Sequence, residues 1–119
     1  MSNQIYPSAA RVATFTGDDN RKIPGMNGVK VVLDVTAVPG VDTVQLVVEN
    51  KDPASGKYFQ VLAAAARVAT GTDTLTIMRG GPATANIAAN DEIADTYRAR
   101  VLHSAGTSFT YSVSVTELP

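Results

Sequence analysis

Three features of this 119-residue chain could do chemistry: the Gly56-Lys57 pair, the single histidine His103, and the acidic runs Asp18-Asp19-Asn20 and Asn90-Asp91-Glu92. A phosphate-cradling loop needs a glycine, four residues, Gly-Lys and then Ser or Thr, so that backbone N–H groups wrap the phosphates and the hydroxyl holds magnesium. Lys51 stands where the first glycine belongs, and Tyr58 where Ser or Thr belongs. The residues that follow, YFQVL, are strand formers, not the start of a helix whose N-terminus would face the anion. Asp52-Pro53 presets φ for a turn and Gly56 accepts positive φ, so residues 52–56 are expected to form a β-hairpin tip. His103 could at most serve as the base for a serine or threonine, because the chain has no cysteine. No serine sits in a Gly-x-Ser-x-Gly elbow, and His103 reads as a strand-end residue. The acidic runs supply hard oxygen ligands of the kind calcium takes, but their spacing is that of solvated turns. No catalytic, cofactor or metal site is assigned, and the chain is not expected to be an enzyme.

The bulk composition narrows the class. The absence of cysteine excludes disulfides and zinc thiolate sites, so stability must come from packing. Ten basic and eleven acidic residues give a net charge of −1, with no basic cluster to track a nucleic-acid backbone or an anionic membrane. Neither nucleic acid nor membrane is an expected partner. The opening MSNQIYPSAARVATFTG lacks a basic region followed by an apolar run, and the low-polarity run at 61–66 is too short to span a bilayer. Synthesis in a cytoplasm is the expectation. Val and Thr are abundant while Glu, Lys and Leu are sparse, which is an all-β profile.

The elements that must position these residues follow from a period of two. In GVKVVLDVT, at 28–36, Val29, Val31, Leu33 and Val35 share one face, with Val32 the apolar exception on the other. Residues 42–50 repeat the pattern with Val44, Leu46 and Val48 inward and Gln45 and Glu49 outward. A strand at 57–63 returns from the hairpin tip. Residues 96–103 carry Tyr97, Ala99, Val101 and His103 on one side and Arg98 and Arg100 on a solvated face. Residues 107–116 alternate Phe109, Tyr111, Val113 and Val115 with small polar residues, and Ser104-Ala105-Gly106 is expected to join these two strands as a second hairpin. Weaker strands are expected at 10–16 and 72–78. Seven or eight strands with no amphipathic helix predict an antiparallel β-sandwich. The hexapeptide AARVAT occurs at 9–14 and 65–70, but the flanks disagree, Phe15 against Gly71 and Leu33 against Ala89, so no repeat is inferred.

The reading gives one sandwich domain over 9–119, preceded by an arm at 1–8. The arm has only Ile5 and Tyr6 as apolar anchors, and Pro7 cannot donate to a ladder. Two connections break the strand rhythm, 17–27 and 79–95, and these are the candidate contact surfaces. Gly80-Gly81-Pro82 lets the chain leave the sheet, Ile87 and Ile93 offer apolar contact, and Arg79, Asn90, Asp91 and Glu92 supply a polar rim. The order of 79–95 is expected to depend on a partner. A sugar platform would need exposed aromatic faces; the chain has no Trp, and its Tyr and Phe fall mostly on apolar strand faces.

Five segments in order, YPSAARVATFTG (6–17), VKVVLDVTAVPG (29–40), KDPASGKYFQVL (51–62), ANIAANDEIADTYRARVLH (85–103) and GTSFTYSVSVTEL (106–118), resemble a family of small tailed-bacteriophage virion proteins encoded among head genes. The most specific pieces are 51–58 and 86–101. The family looks like head decoration or cement proteins. The resemblance implies a jelly-roll-like sandwich without cofactor, located on the outer surface of the virion. It also implies binding to the major capsid protein as homotrimers at threefold and quasi-threefold positions. A neck or tail component and a carbohydrate-binding adhesin module remain alternatives.

Overall fold

A computed structural model describes residues 3–119, so Met1 and Ser2 of the expected arm lie outside the described residues. The alternation at 28–36 becomes β4 (Gly28–Ala37), and that at 42–50 becomes β5 (Val44–Lys51). The hairpin returns as β6 (Tyr58–Ala63), followed by β7 (Gly71–Met78), β9 (Thr96–His103) and β10 (Phe109–Leu118). β1 (Asn3–Arg11) and three two-residue strands, β2 (Phe15–Thr16), β3 (Asn20–Arg21) and β8 (Ala88–Ala89), bring the count among the described residues to ten rather than seven or eight. Among the described residues there is no helix.

The strands form two sheets packed as a β-sandwich. One has the order β1-β10-β4-β7-β8; the other has the order β2-β9-β5-β6, with β3 also on β9. All pairings are antiparallel except β7 with β8. Partners nest about the 52–57 tip: β5 with β6, β4 with β7, β2 and β3 with β9, and β1 with β10. The period-two faces meet between the sheets. Val29, Val31, Leu33 and Val35 of β4 pack with Leu75 and Ile77 of β7 and with Phe109, Tyr111, Val113 and Val115 of β10. Val44, Leu46, Val48, Tyr97, Ala99 and Val101 close the core from the other sheet. Each such Val or Leu contributes about 1.5–3 kcal/mol when fully buried. Val47 points away from this core, yet it is buried, flanked in register by Ala63 and Arg100.

Two expectations are corrected. The 104–106 segment is not a hairpin: β9 and β10 belong to different sheets, and the segment arches between them, held by the Thr43 N–H donating to the Ser104 hydroxyl at 2.8 Å. Turn-forming residues suit an arch as well as a hairpin, because both reverse the chain and differ only in which neighbours the flanking strands pair with. Residues 3–8 are not a free arm but most of β1, an edge strand on β10. Pro7 is accommodated because the register shifts there: Tyr6 pairs with Val113 and Ala9 with Tyr111, leaving Pro7 and Ser8 opposite Ser112 alone. A bulge on an edge is where a residue without an N–H costs least.

Arg11 closes this side of the sandwich. Its guanidinium lies 4.9 Å from the Phe15 ring centroid and 4.7 Å from that of Tyr111, and it donates to the Tyr111 carbonyl. Tyr6 meets Phe15 edge-on at 4.8 Å, and its hydroxyl accepts from the Asp18 N–H at 2.8 Å. Gly17 is required by this contact, since a Cβ there would lie 2.9 Å from the Ala99 carbonyl oxygen and 3.0 Å from the Tyr6 hydroxyl.

Candidate interaction surfaces

The sandwich gathers its connections at two ends of unlike character. At one end lie 17–27, the 52–57 tip and 79–95. Lys51 and Tyr58 beside the tip both reach Asp19, the Lys22 N–H donates to the Asp95 carbonyl at 2.8 Å, and the Asn50 side chain holds 79–95 from beneath. Asn50 is buried because it satisfies that connection: it donates to the Glu92 carbonyl and accepts from the Ala94 N–H, both at 3.1 Å. An open cleft of about 250 Å³ separates the three connections, walled by Lys22, Lys51, Pro53, Glu92, Asp95 and Thr96 among others.

The candidate contact residues divide clearly. Ile87 is 57% exposed and Ile5 71% exposed, so both are presented outward. Ile93 is not: at 4% exposure it fills the bottom of the protein's own core with Met26, which corrects its assignment to a partner surface. Its polar neighbours Asn90, Asp91 and Glu92 hide this in the sequence, since no period marks a single apolar residue in a loop. Tyr6 is also engaged internally, against Phe15 and Asp18, and burial raises the pKa of its hydroxyl. Arg79 and Glu92 form an exposed ion pair at 2.8 Å, and pairs of this kind contribute little to stability. Asn90 accepts from the Gly80 N–H at 2.8 Å, and Asp91 accepts from the neighbouring Glu92 N–H at 2.7 Å. The 79–95 connection is held to the domain by these bonds and by β8 on β7.

The groups that could do chemistry are engaged in structure. Residues 52–56 are the tip of the β5–β6 hairpin, closed by the Asp52 N–H to the Lys57 carbonyl at 2.7 Å, with Gly56 at φ +74°. The Asp52 carboxylate accepts from the Ser55 hydroxyl at 2.7 Å and from the Ala54 N–H, bonds that lower its pKa. His103 Nε2 lies 2.8 Å from the Tyr111 hydroxyl, and burial lowers the histidine's pKa. Burial pushes the Tyr111 hydroxyl up to about 12, while the Tyr97 hydroxyl, which donates to Glu117 at 3.1 Å, is raised further by burial and that carboxylate. Among the described residues no group of three or more His, Asp or Glu is placed to hold a metal ion.

Arg98 and Arg100 are more than a solvated face. Both reach Glu49 of β5, at 2.8 and 3.4 Å, and the Arg98 guanidinium lies 3.4 Å from the Tyr58 ring centroid. The signal for this cluster is present in the sequence as Glu49 outward on one strand and two arginines outward on another. What is absent is the β5–β9 register that sets Glu49 opposite Arg98. No protein-family model matches the chain, and no curated protein matches it either.

Proposed function

We propose that the protein is a structural component of a tailed-bacteriophage particle: a decoration or cement protein that binds the outer surface of the head. It stabilises the shell through non-covalent contact with the major capsid protein, and its copies gather as homotrimers at threefold and quasi-threefold positions. The observation that carries this reading is how the side chains are used. His103, the arginines of β9 and Asn50 are engaged within the domain, whereas Ile87 and Ile5 are large apolar side chains held in solvent. That division suits binding by shape and surface. The strand order supports the finer fold reading: β1-β10-β4-β7 over β2-β9-β5-β6, with nested pairs, is the order of a jelly roll, an architecture that recurs in viral capsid modules. A rigid sandwich with a pre-ordered contact loop loses little entropy on docking, and many copies on a lattice gain avidity from modest contacts. In this reading Ile87 is the apolar centre of the capsid contact, and Arg79, Asn90, Asp91 and Glu92 form its rim.

The test adds purified protein to heads that lack it and reads occupancy from density on the particles. Ile87→Ser is expected to lower the affinity about tenfold, corresponding to about 1.4 kcal/mol of lost apolar contact, with the melting temperature unchanged because the side chain is exposed. Full occupancy by the variant would make the loop bystander surface. Density only at the neck or tail, or specific glycan binding without head binding, would overturn the assignment.

A further inference from the structure

The end opposite Ile87 is built from four loops, 12–14, 38–43, 64–70 and 104–108. They converge through the Thr107 hydroxyl donating to Asp42 at 2.8 Å, the His103 N–H donating to the Thr14 hydroxyl at 3.1 Å, and the Val44–Arg67 bridge. Three of these loops each present one valine to solvent, Val12 at 56%, Val41 at 60% and Val68 at 55% exposure. The four loops contain only two charged residues, whereas 17–27, 52–57 and 79–95 contain ten. Both of the two are held in place, and Arg67 is paired with an opposite charge. Asp42 takes the Thr107 hydroxyl, and Arg67 makes a two-pronged contact with Asp73 at 3.0 and 2.8 Å. Gly71 makes room for that contact: a Cβ there would stand 2.4 Å from the Arg67 guanidinium.

From this asymmetry we infer that the valine end is a self-association surface, and that its occupant is the same end of another copy of this chain. Like-on-like contact sets the net charge of a surface against itself; the loops of the valine end hold one acidic and one basic residue and meet little such repulsion, whereas those of the Ile87 end hold six acidic and four basic residues. Depletion of charge with exposed aliphatic side chains is also the composition of an interface centre. The area sets the strength. The ten-residue strands run about 33 Å, so the long axis of the 41 × 29 × 23 Å molecule follows them. The end face then offers on the order of 500 Å² per copy, at the lower limit of specific interfaces, so association is weak and concentration-dependent.

The inference does not rest on the virion reading, and its test uses the isolated protein. Sedimentation equilibrium from micromolar to millimolar concentration should show the mass rising above the 12.4 kDa monomer. Val41→Asp with Val68→Asp should weaken association at least tenfold with an unchanged melting temperature, because both side chains are already exposed. Ile87→Asp, at the opposite end, should associate like the unaltered protein, and added sodium chloride should not weaken either. A protein monomeric throughout the range, association retained by the double valine variant, association lost in Ile87→Asp, or dissociation by salt would each overturn it.

Discussion

At the scale of single residues, His103 ends the inward face of β9 with its ring 5.7 Å from the Phe109 ring and its Nε2 on the Tyr111 hydroxyl. Burial lowers its pKa first, the Thr107 backbone raises it in part, and the Arg11 charge lowers it again. The folded protein therefore holds His103 neutral at a pH where the unfolded chain, titrating near 6.5, begins to protonate. Between those two values the unfolded state binds more protons, so stability is full above about pH 6.5 and declines as the pH falls toward the folded value. His103→Gln keeps a polar partner for Tyr111 and removes the titration. Its melting temperature should stay level where that of the unaltered protein falls, and parallel pH profiles for the two proteins would refute the assignment. The same lone histidine attracts a catalytic reading in the sequence; in the structure one ring nitrogen, Nε2, is occupied by a tyrosine, and the other, Nδ1, is buried without a partner among the described residues.

At the scale of elements, β1 shows what an edge strand can do for a sandwich. It covers the free side of β10 and delivers Tyr6 and Arg11 across the gap to Phe15 on the opposing sheet. Deleting residues 1–8 should therefore destabilise the isolated fold, by about 2–4 kcal/mol if the loss resembles truncation of a buried aromatic, with a melting temperature lower by roughly 10 °C. An unchanged melting curve would mean that the strand is dispensable surface. The elements themselves were legible in the sequence wherever period-two alternation ran for several residues, as in β4, β5, β7, β9 and β10. The 52–56 tip was legible from Asp52-Pro53 and Gly56. Sheet membership was not. β9 and β10 both carry an apolar face and flank a turn-like Ser104-Ala105-Gly106, and local chemistry is the same whether they pair with each other or face each other across the core. Of the candidate contacts, Ile5 and Ile87 are exposed, whereas Ile93 is core with Met26, which is distant in sequence.

For the whole molecule, nesting makes β5–β6 a local pair of long strands, and every outer pair among the described residues closes a longer loop until Asn3 meets Thr116. Non-local pairing of this kind is slow to fold, since loop entropy is lost before contacts repay it. The nest can be entered from either end, however, because β1 and β10 are antiparallel neighbours with Asn3 opposite Thr116. A short Gly/Ser linker from residue 119 to residue 1, with a new opening at Ala54 in the exposed hairpin tip, would make β10–β1 the local hairpin and β5–β6 the most distant pair. Every native contact except the tip is preserved, so the permuted chain should reach the same fold with a slightly lower melting temperature. The kinetics carry the discrimination. If the β5–β6 hairpin nucleates the native protein, opening it should slow refolding severalfold and leave unfolding nearly unchanged, as expected for a contact already formed in the transition state. If refolding is as fast as before and unfolding accelerates instead, the nucleus lies among the outer strands, and the tip is a late closure.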